Sequence, residues 1–139
     1  MFARIMVCLD GSSLSEQILP AAIELAQRFD ATITLFTSVD MPPPASPEFP
    51  VESDLIQDLR RKDAQQYLSC IATFLEGTGL HVVTATAVGP AGPAIVEYAA
   101  ANAIGLIAMG THGRRNIGRL IYESVTDHVL RHSAIPVLA

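Results

Sequence analysis

Residues 104–110, IGLIAMG, form an unbroken apolar run that closes on a glycine. Apolar continuity without alternation marks a strand covered on both faces, as in a parallel sheet enclosed by helices. Beyond it lies THGRRNIGRLIYES (111–124), with a second glycine at Gly113, three arginines and a serine. Working back to the start, ARIMVCL (3–9) is equally apolar and stops at Asp10-Gly11. Ser13 and Glu16 have capping-box spacing, and Ile18, Ala22, Leu25, Ala26 and Phe29 keep a helical period. Pro20 falls inside that pattern, so the helix either begins later than the box or kinks there. TITLFTSV (32–39) is β-branched and reads as the second strand. The five prolines of DMPPPASPEFP (40–50) imply an exposed, stiff loop.

A long helix is expected over 53–76, with Leu55, Leu59, Leu68, Ile71 and Leu75 on one stripe. LHVVTATAV (80–88) mixes polar and apolar residues as an edge strand does. Pro93 suits the first position of a helix reaching about Asn102. A last helix is expected from Ser124 to His132, and IPVLA closes the chain as a short strand. Five strands alternating with four helices imply an α/β fold, a doubly wound, mostly parallel sheet with helices on both faces. Ligands bind such sheets outside the carboxyl ends of the strands. Asp10, Asp40 and Gly110 to Gly113 all fall at such ends.

Bulk properties narrow the function classes. The chain has 139 residues, 50% hydrophobic and 17% charged, enough for one domain with a substantial core. No apolar run is long enough to span a bilayer, and the start lacks a leader pattern, so a cytoplasmic location is expected. Cys8 and Cys70 form no CxxC, which points away from a disulfide framework or zinc knuckle. A net charge of −5 with only 6% aromatic residues speaks against nucleic acid and anionic membrane as partners, the Arg114–Arg119 cluster notwithstanding. His81, His128 and His132 have no carboxylate or cysteine at ligand spacing, so no metal chemistry is assigned to them. Ser124, His112 and Asp10 are the residue types of a hydrolase triad, but no G-x-S-x-G accompanies them.

The glycine loop can serve as an anion cradle. Glycines expose successive backbone N–H groups, and a helix start capped by Ser124, with Asp127 three residues on, adds unpaired donors and positive dipole. Arg114, Arg115 and Arg119 supply charge-assisted contacts to phosphate oxygens. On spacing alone a plain turn fits equally well, since neither a P-loop nor G-x-G-x-x-G is present.

The chain resembles the universal stress protein family along its whole length. The residues that carry this are ARIMVCLDGSSLSEQIL, GPAGPAIVEYAA and LIAMGTHGRRNIGRLIYESVTDHVLRHSAIPVLA. Nucleotide-binding members have G-x2-G-x9-G-[ST], and Gly110, Gly113 and Ser124 stand in register with it. The resemblance implies strand order 3-2-1-4-5 and an adenine nucleotide, ATP with or without Mg2+, held where strands one and four diverge. It places Cys8, Leu9 and Asp10 against adenosine, Val39 against adenine, and Met109 at the start of the phosphate loop. Gly110, His112 and Gly113 would wrap the phosphates, with Ser124 and Val125 holding them from the helix start. It also implies a homodimer paired through the final strand, acting as a stress-response module with little or no turnover rather than an enzyme.

Two positions depart from the family pattern. Gly105 stands where an aspartate is usual, and Glu123 replaces the third motif glycine. A carboxylate about 4 Å from phosphate costs roughly 4 kcal/mol at an effective dielectric of about 20, which neighbouring arginines or a divalent cation offset in part. An interaction protein that has lost its nucleotide is the alternative these changes support. Glu123→Gly is therefore expected to tighten MgATP binding by about tenfold or more, roughly 1.4 kcal/mol. Calorimetry checks this, and unchanged or weaker binding would refute the charge argument.

Overall fold

A computed structural model describes residues 2–39, 53–110 and 117–139, with backbone alone for 53–54 and 117–123. Asp40 with the proline segment, and His112, Gly113, Arg114 and Arg115, lie outside the described residues, as do the side chains of Arg119 and Glu123. Strand β1 (Arg4–Cys8) pairs in parallel with β2 (Thr32–Val39) on one side and β4 (Leu106–Met109) on the other. The edges are β3 (Val82–Val88) and β5 (Val137–Leu138), giving the order 3-2-1-4-5. The expected fold class holds. Each strand connects to the next through helix: α1 (Ser13–Glu16) and α2 (Leu19–Phe29), then α3 (Ser53–Phe74), α4 (Ala91–Ala101) and α5 (Ile117–His132).

The two-residue period of a strand sends alternate side chains to opposite faces. Ile5, Val7, Ile33, Leu35 and Ala108 pack beneath α2 and α3, with Ala22, Ala26, Leu68 and Leu75. Met6, Cys8, Phe36, Ile107 and Met109 face α4 and α5, with Ile95, Ala99 and Val129. Among the described residues no helix is long and apolar enough to cross a membrane.

Where the elements differ from expectation, local chemistry gives the reason. The helical segment after β1 is two helices, because a proline ring clashes with the carbonyl four residues back and has no N–H to donate. Pro20 therefore falls in the first turn of α2, where it is tolerated. The first cap is Ser12 and not Ser13: its side chain accepts from the Ser15 N–H at 3.2 Å. Helix α4 starts at Ala91, with Pro93 in its first turn rather than at its first position. The stripe on α3 is buried only toward its C-terminus. Leu68 and Leu75 are in the core, whereas Leu55 and Leu59 are 55% and 54% exposed. At 22 residues α3 is about 33 Å long, against about 26 Å for the eight-residue β2 beneath it, so one end overhangs.

Both α2 and α4 end in a left-handed residue with a six-to-one bond. Ala31 N–H donates to Ala26 O at 2.9 Å, and Ile104 N–H to Ala99 O at 3.2 Å. The left-handed residues are Asp30 at φ 51° and Ala103 at φ 54°. Asp tolerates that region, but alanine pays about 1–2 kcal/mol there for its Cβ. Ala103→Gly is expected to raise the unfolding free energy by about 0.5–1 kcal/mol, the strain relieved less the added entropy of an unfolded glycine. Urea denaturation measures it, and a loss of stability would contradict the strain.

Candidate functional site

The in-register parallel pairing puts Cys8 opposite both Phe36 and Met109 at the carboxyl end of the sheet. These three side chains form one row across β2, β1 and β4, on the face that α4 and α5 cover. Above the row the helices leave a cavity of about 300 Å³. Its floor is that row, its walls are Ala91, Ile95 and Val125, and its rim is Leu9, Asp10, Thr37 and Ser38. Tyr98 from α4 packs over Phe36 with ring centroids 5.0 Å apart, which buttresses the floor from the β3 side. The centre is thus apolar, with hydroxyl and carboxylate groups at one margin.

A web of short-range bonds holds Asp10. Its Oδ1 accepts from the Ser12 N–H at 2.8 Å and from the Ser12 hydroxyl. Its own N–H donates to Ser15 Oγ at 3.2 Å, and that hydroxyl donates to Ser12 O at 2.9 Å. Gly11, at φ 88°, supplies the left-handed step that closes this turn. The Asp10 carboxylate therefore shapes the start of α1, while Oδ2 makes no hydrogen bond among the described residues. Beneath the turn the Tyr67 hydroxyl is buried and makes no regular hydrogen bond among the described residues. Burial, and next the negative charge of Glu16, push it up to about 12. Burial alone pushes the Cys8 thiol above its ordinary value, so it lines the cavity as an inert apolar group.

The fold has counterparts among known proteins. A family model described as the universal stress protein family matches residues 1–139. The chain belongs to the universal stress protein family. Universal stress protein MJ0531 of Methanocaldococcus jannaschii is 30% identical over 140 residues, covering 99% of this chain and 81% of that protein. A universal stress protein family member from Burkholderia pseudomallei superposes with a TM-score of 0.79 at 26% identity, over 99% of this chain and 94% of its own. A universal stress protein in complex with cAMP shares the fold at a TM-score of 0.62 and 22% identity, over 97% of this chain and 93% of its own.

Of the residues the family pattern singles out in this universal stress protein, Cys8, Leu9, Asp10, Met109 and Val125 meet at the cavity. Val39 is buried beside it but is not part of its lining, and its carbonyl accepts from the Gly89 N–H at 2.9 Å. Ser124 is exposed and does not line the cavity. It does not cap α5, which begins at Ile117, seven residues earlier. The spacing of Ile117, Leu120, Ile121, Val125, His128 and His132 continues one helical face back through the segment read as loop. Phe36, Thr37 and Ser38 were not singled out from sequence. Their signal is the register, since a strand beside β1 must end at the same rim.

Gly110 is buried immediately after β4, where the chain passes over α1. A Cβ at Gly110 would stand 2.7 Å from Leu14 O and 3.3 Å from Ser15 O. Both are backbone atoms of the segment that also positions Asp10, so neither can swing aside. Gly110→Ala is expected to cost about 1–3 kcal/mol of stability, even without ligand, as overpacking does. Thermal or urea unfolding of the two proteins tests this. Equal stability would leave the glycine with a role in binding only.

Proposed function

We propose that this universal stress protein binds an adenine nucleotide, ATP in the first instance, in the cavity between β1, β2, β4 and α4, and acts as a regulatory module with little or no turnover. The observation that carries the reading is the cavity at the β1–β4 divergence, with an apolar floor and a hydroxyl-and-carboxylate rim. An apolar slot about 300 Å³ in volume suits a purine base with its ribose. In this reading Cys8, Leu9 and Met109 contact the adenosine, Asp10 Oδ2 accepts from a ribose hydroxyl, and Thr37 and Ser38 are further polar contacts. Val39 backs the base from behind the rim. The phosphates run toward Gly110, His112 and Gly113, with Ser124 and Val125 on the α5 side. The complex of a fold relative with cAMP supports an adenine ligand class. Mg2+ would enter with the phosphates, neutralising charge that Glu123 opposes.

Homodimer formation through β5 is part of the proposal. Val137 and Leu138 form the sheet edge beyond β4, and neither is fully buried, as a strand awaiting a partner requires. The second reading, a dimeric interaction protein without nucleotide, is favoured by Glu123 and Gly105.

Calorimetry with ATP, AMP and cAMP, each with Mg2+, separates the readings. Binding of any of them, weakened about tenfold or more by Asp10→Ala, supports the nucleotide reading; a charge-assisted bond of about 1.5–3 kcal/mol sets that scale. No heat at millimolar nucleotide would favour the interaction protein.

A further inference from the structure

Arg4, Thr32 and His81 form a row at the amino end of the sheet. Arg4 pairs with Thr32, and one position before the β2–β3 ladder begins at Ile33 and Val82, Thr32 stands level with His81. Side chains two apart on a strand share a face, so Arg4, Thr32 and Thr34 point the way Met6 and Phe36 do, toward α4. The last turn of α4 covers them and leaves a recess of about 240 Å³, closed by Tyr98, Asn102 and Ile104. We infer that this recess binds one small tetrahedral oxyanion, of the phosphate class, independently of the nucleotide cavity at the other end of the sheet.

The lining is cationic. Arg4 and His81 stand in it and no acidic side chain does, in a chain whose net charge is −5. Arg4 is anchored, since its Nη1 donates to Asn102 O at 3.1 Å, at the cap of α4. That bond uses one of the five guanidinium N–H groups and sets positive charge against the negative end of the helix dipole. Arg4 makes no ion pair among the described residues, so the rest of its fork is open to an anion.

A buried hydroxyl points to the same place. Thr34 is only 5% exposed, in the body of β2, and it lines the recess. Its hydroxyl makes no hydrogen bond among the described residues. Unlike the sealed hydroxyls of Tyr67 and Thr126, it keeps access to the recess, so whatever occupies the recess is its partner. Valine has nearly the same shape, and packing alone does not call for a threonine there. The Tyr98 hydroxyl is likewise without a hydrogen bond among the described residues, and contact with Phe36 fixes its ring. Asn102 shapes the wall instead, its Nδ2 donating to Tyr98 O at 2.8 Å.

The donor set decides the shape of the anion. Arg4, His81 and the three hydroxyls come from β1, β2, the residue before β3, and α4, and so approach from several directions. A tetrahedral ion offers such a set four oxygens, whereas a carboxylate offers two in one plane. In either protonation state the His81 imidazole has an N–H to give. At about 240 Å³, against about 300 Å³ for the nucleotide cavity, the recess takes an ion and not a nucleotide.

Amide chemical-shift titration of the full chain with inorganic phosphate, at constant ionic strength, tests the site without nucleotide. Saturating shifts are expected at Arg4, Thr32, Thr34, His81 and Asn102, with weaker binding of acetate. Arg4→Gln should weaken phosphate binding about tenfold or more, as loss of a charge-assisted bond does. Thr34→Val should weaken it about threefold or more without lowering the melting temperature, which keeps the test sound if Arg4→Gln loosens the α4 cap. Asp10→Ala, at the other end of the sheet, should leave phosphate affinity unchanged. Non-saturating shifts that chloride reproduces, acetate binding as tight as phosphate, full affinity in folded Thr34→Val, or lost affinity in Asp10→Ala would overturn the assignment.

Discussion

The parallel pairing of β1 with β2 on one edge and β4 on the other is the constraint on which the site depends. Because β2 is reached through α1 and α2, and β4 through α4, the connections on the two sides of β1 go to opposite faces of the sheet. No single helix can then cover the carboxyl end of the central strand, and a crevice is left there. Register does the rest. Cys8, Phe36 and Met109 align into one floor because parallel neighbours at the same level point the same way. A shift of one residue in either ladder would turn that strand's member of the row toward α2 and α3.

Close approach between β4 and α1 completes the frame. Gly110 passes over the carbonyls of Leu14 and Ser15, and the same turn ties Asp10 to Ser12 and Ser15. The rim carboxylate and the exit of β4 are therefore positioned by one piece of backbone. This explains why a glycine is needed at 110 before any ligand is considered, and why Asp10 serves both the turn and the cavity margin.

Much of the fold was legible because it is written in patterns that local physics reads directly. The apolar runs at 3–9 and 104–110 could only be enclosed strands, and the mixed run at 80–88 is indeed an edge. Boundaries were less legible where two local signals compete. Pro20 permitted a kink or a restart, and the competition was settled by its place in the first turn of α2. Ser124 carried cap-like spacing inside a longer helical face, and the face prevailed. At the site, Asp10 was identifiable because it follows the end of an apolar strand, whereas Met109 was singled out only through the family resemblance. Thr37 and Ser38 were not, since polar residues at a strand end look the same until the neighbouring strand supplies the register.

The central claim is that the divergence of β1 and β4 creates the ligand cavity, and amide chemical-shift mapping during titration with MgATP tests it most directly. The largest shifts are expected at Leu9, Asp10, Thr37, Ser38 and Ala91, around one end of the sheet. Saturating shifts confined to the opposite end, at Arg4, Thr32 and His81, or no shifts at all, would contradict it.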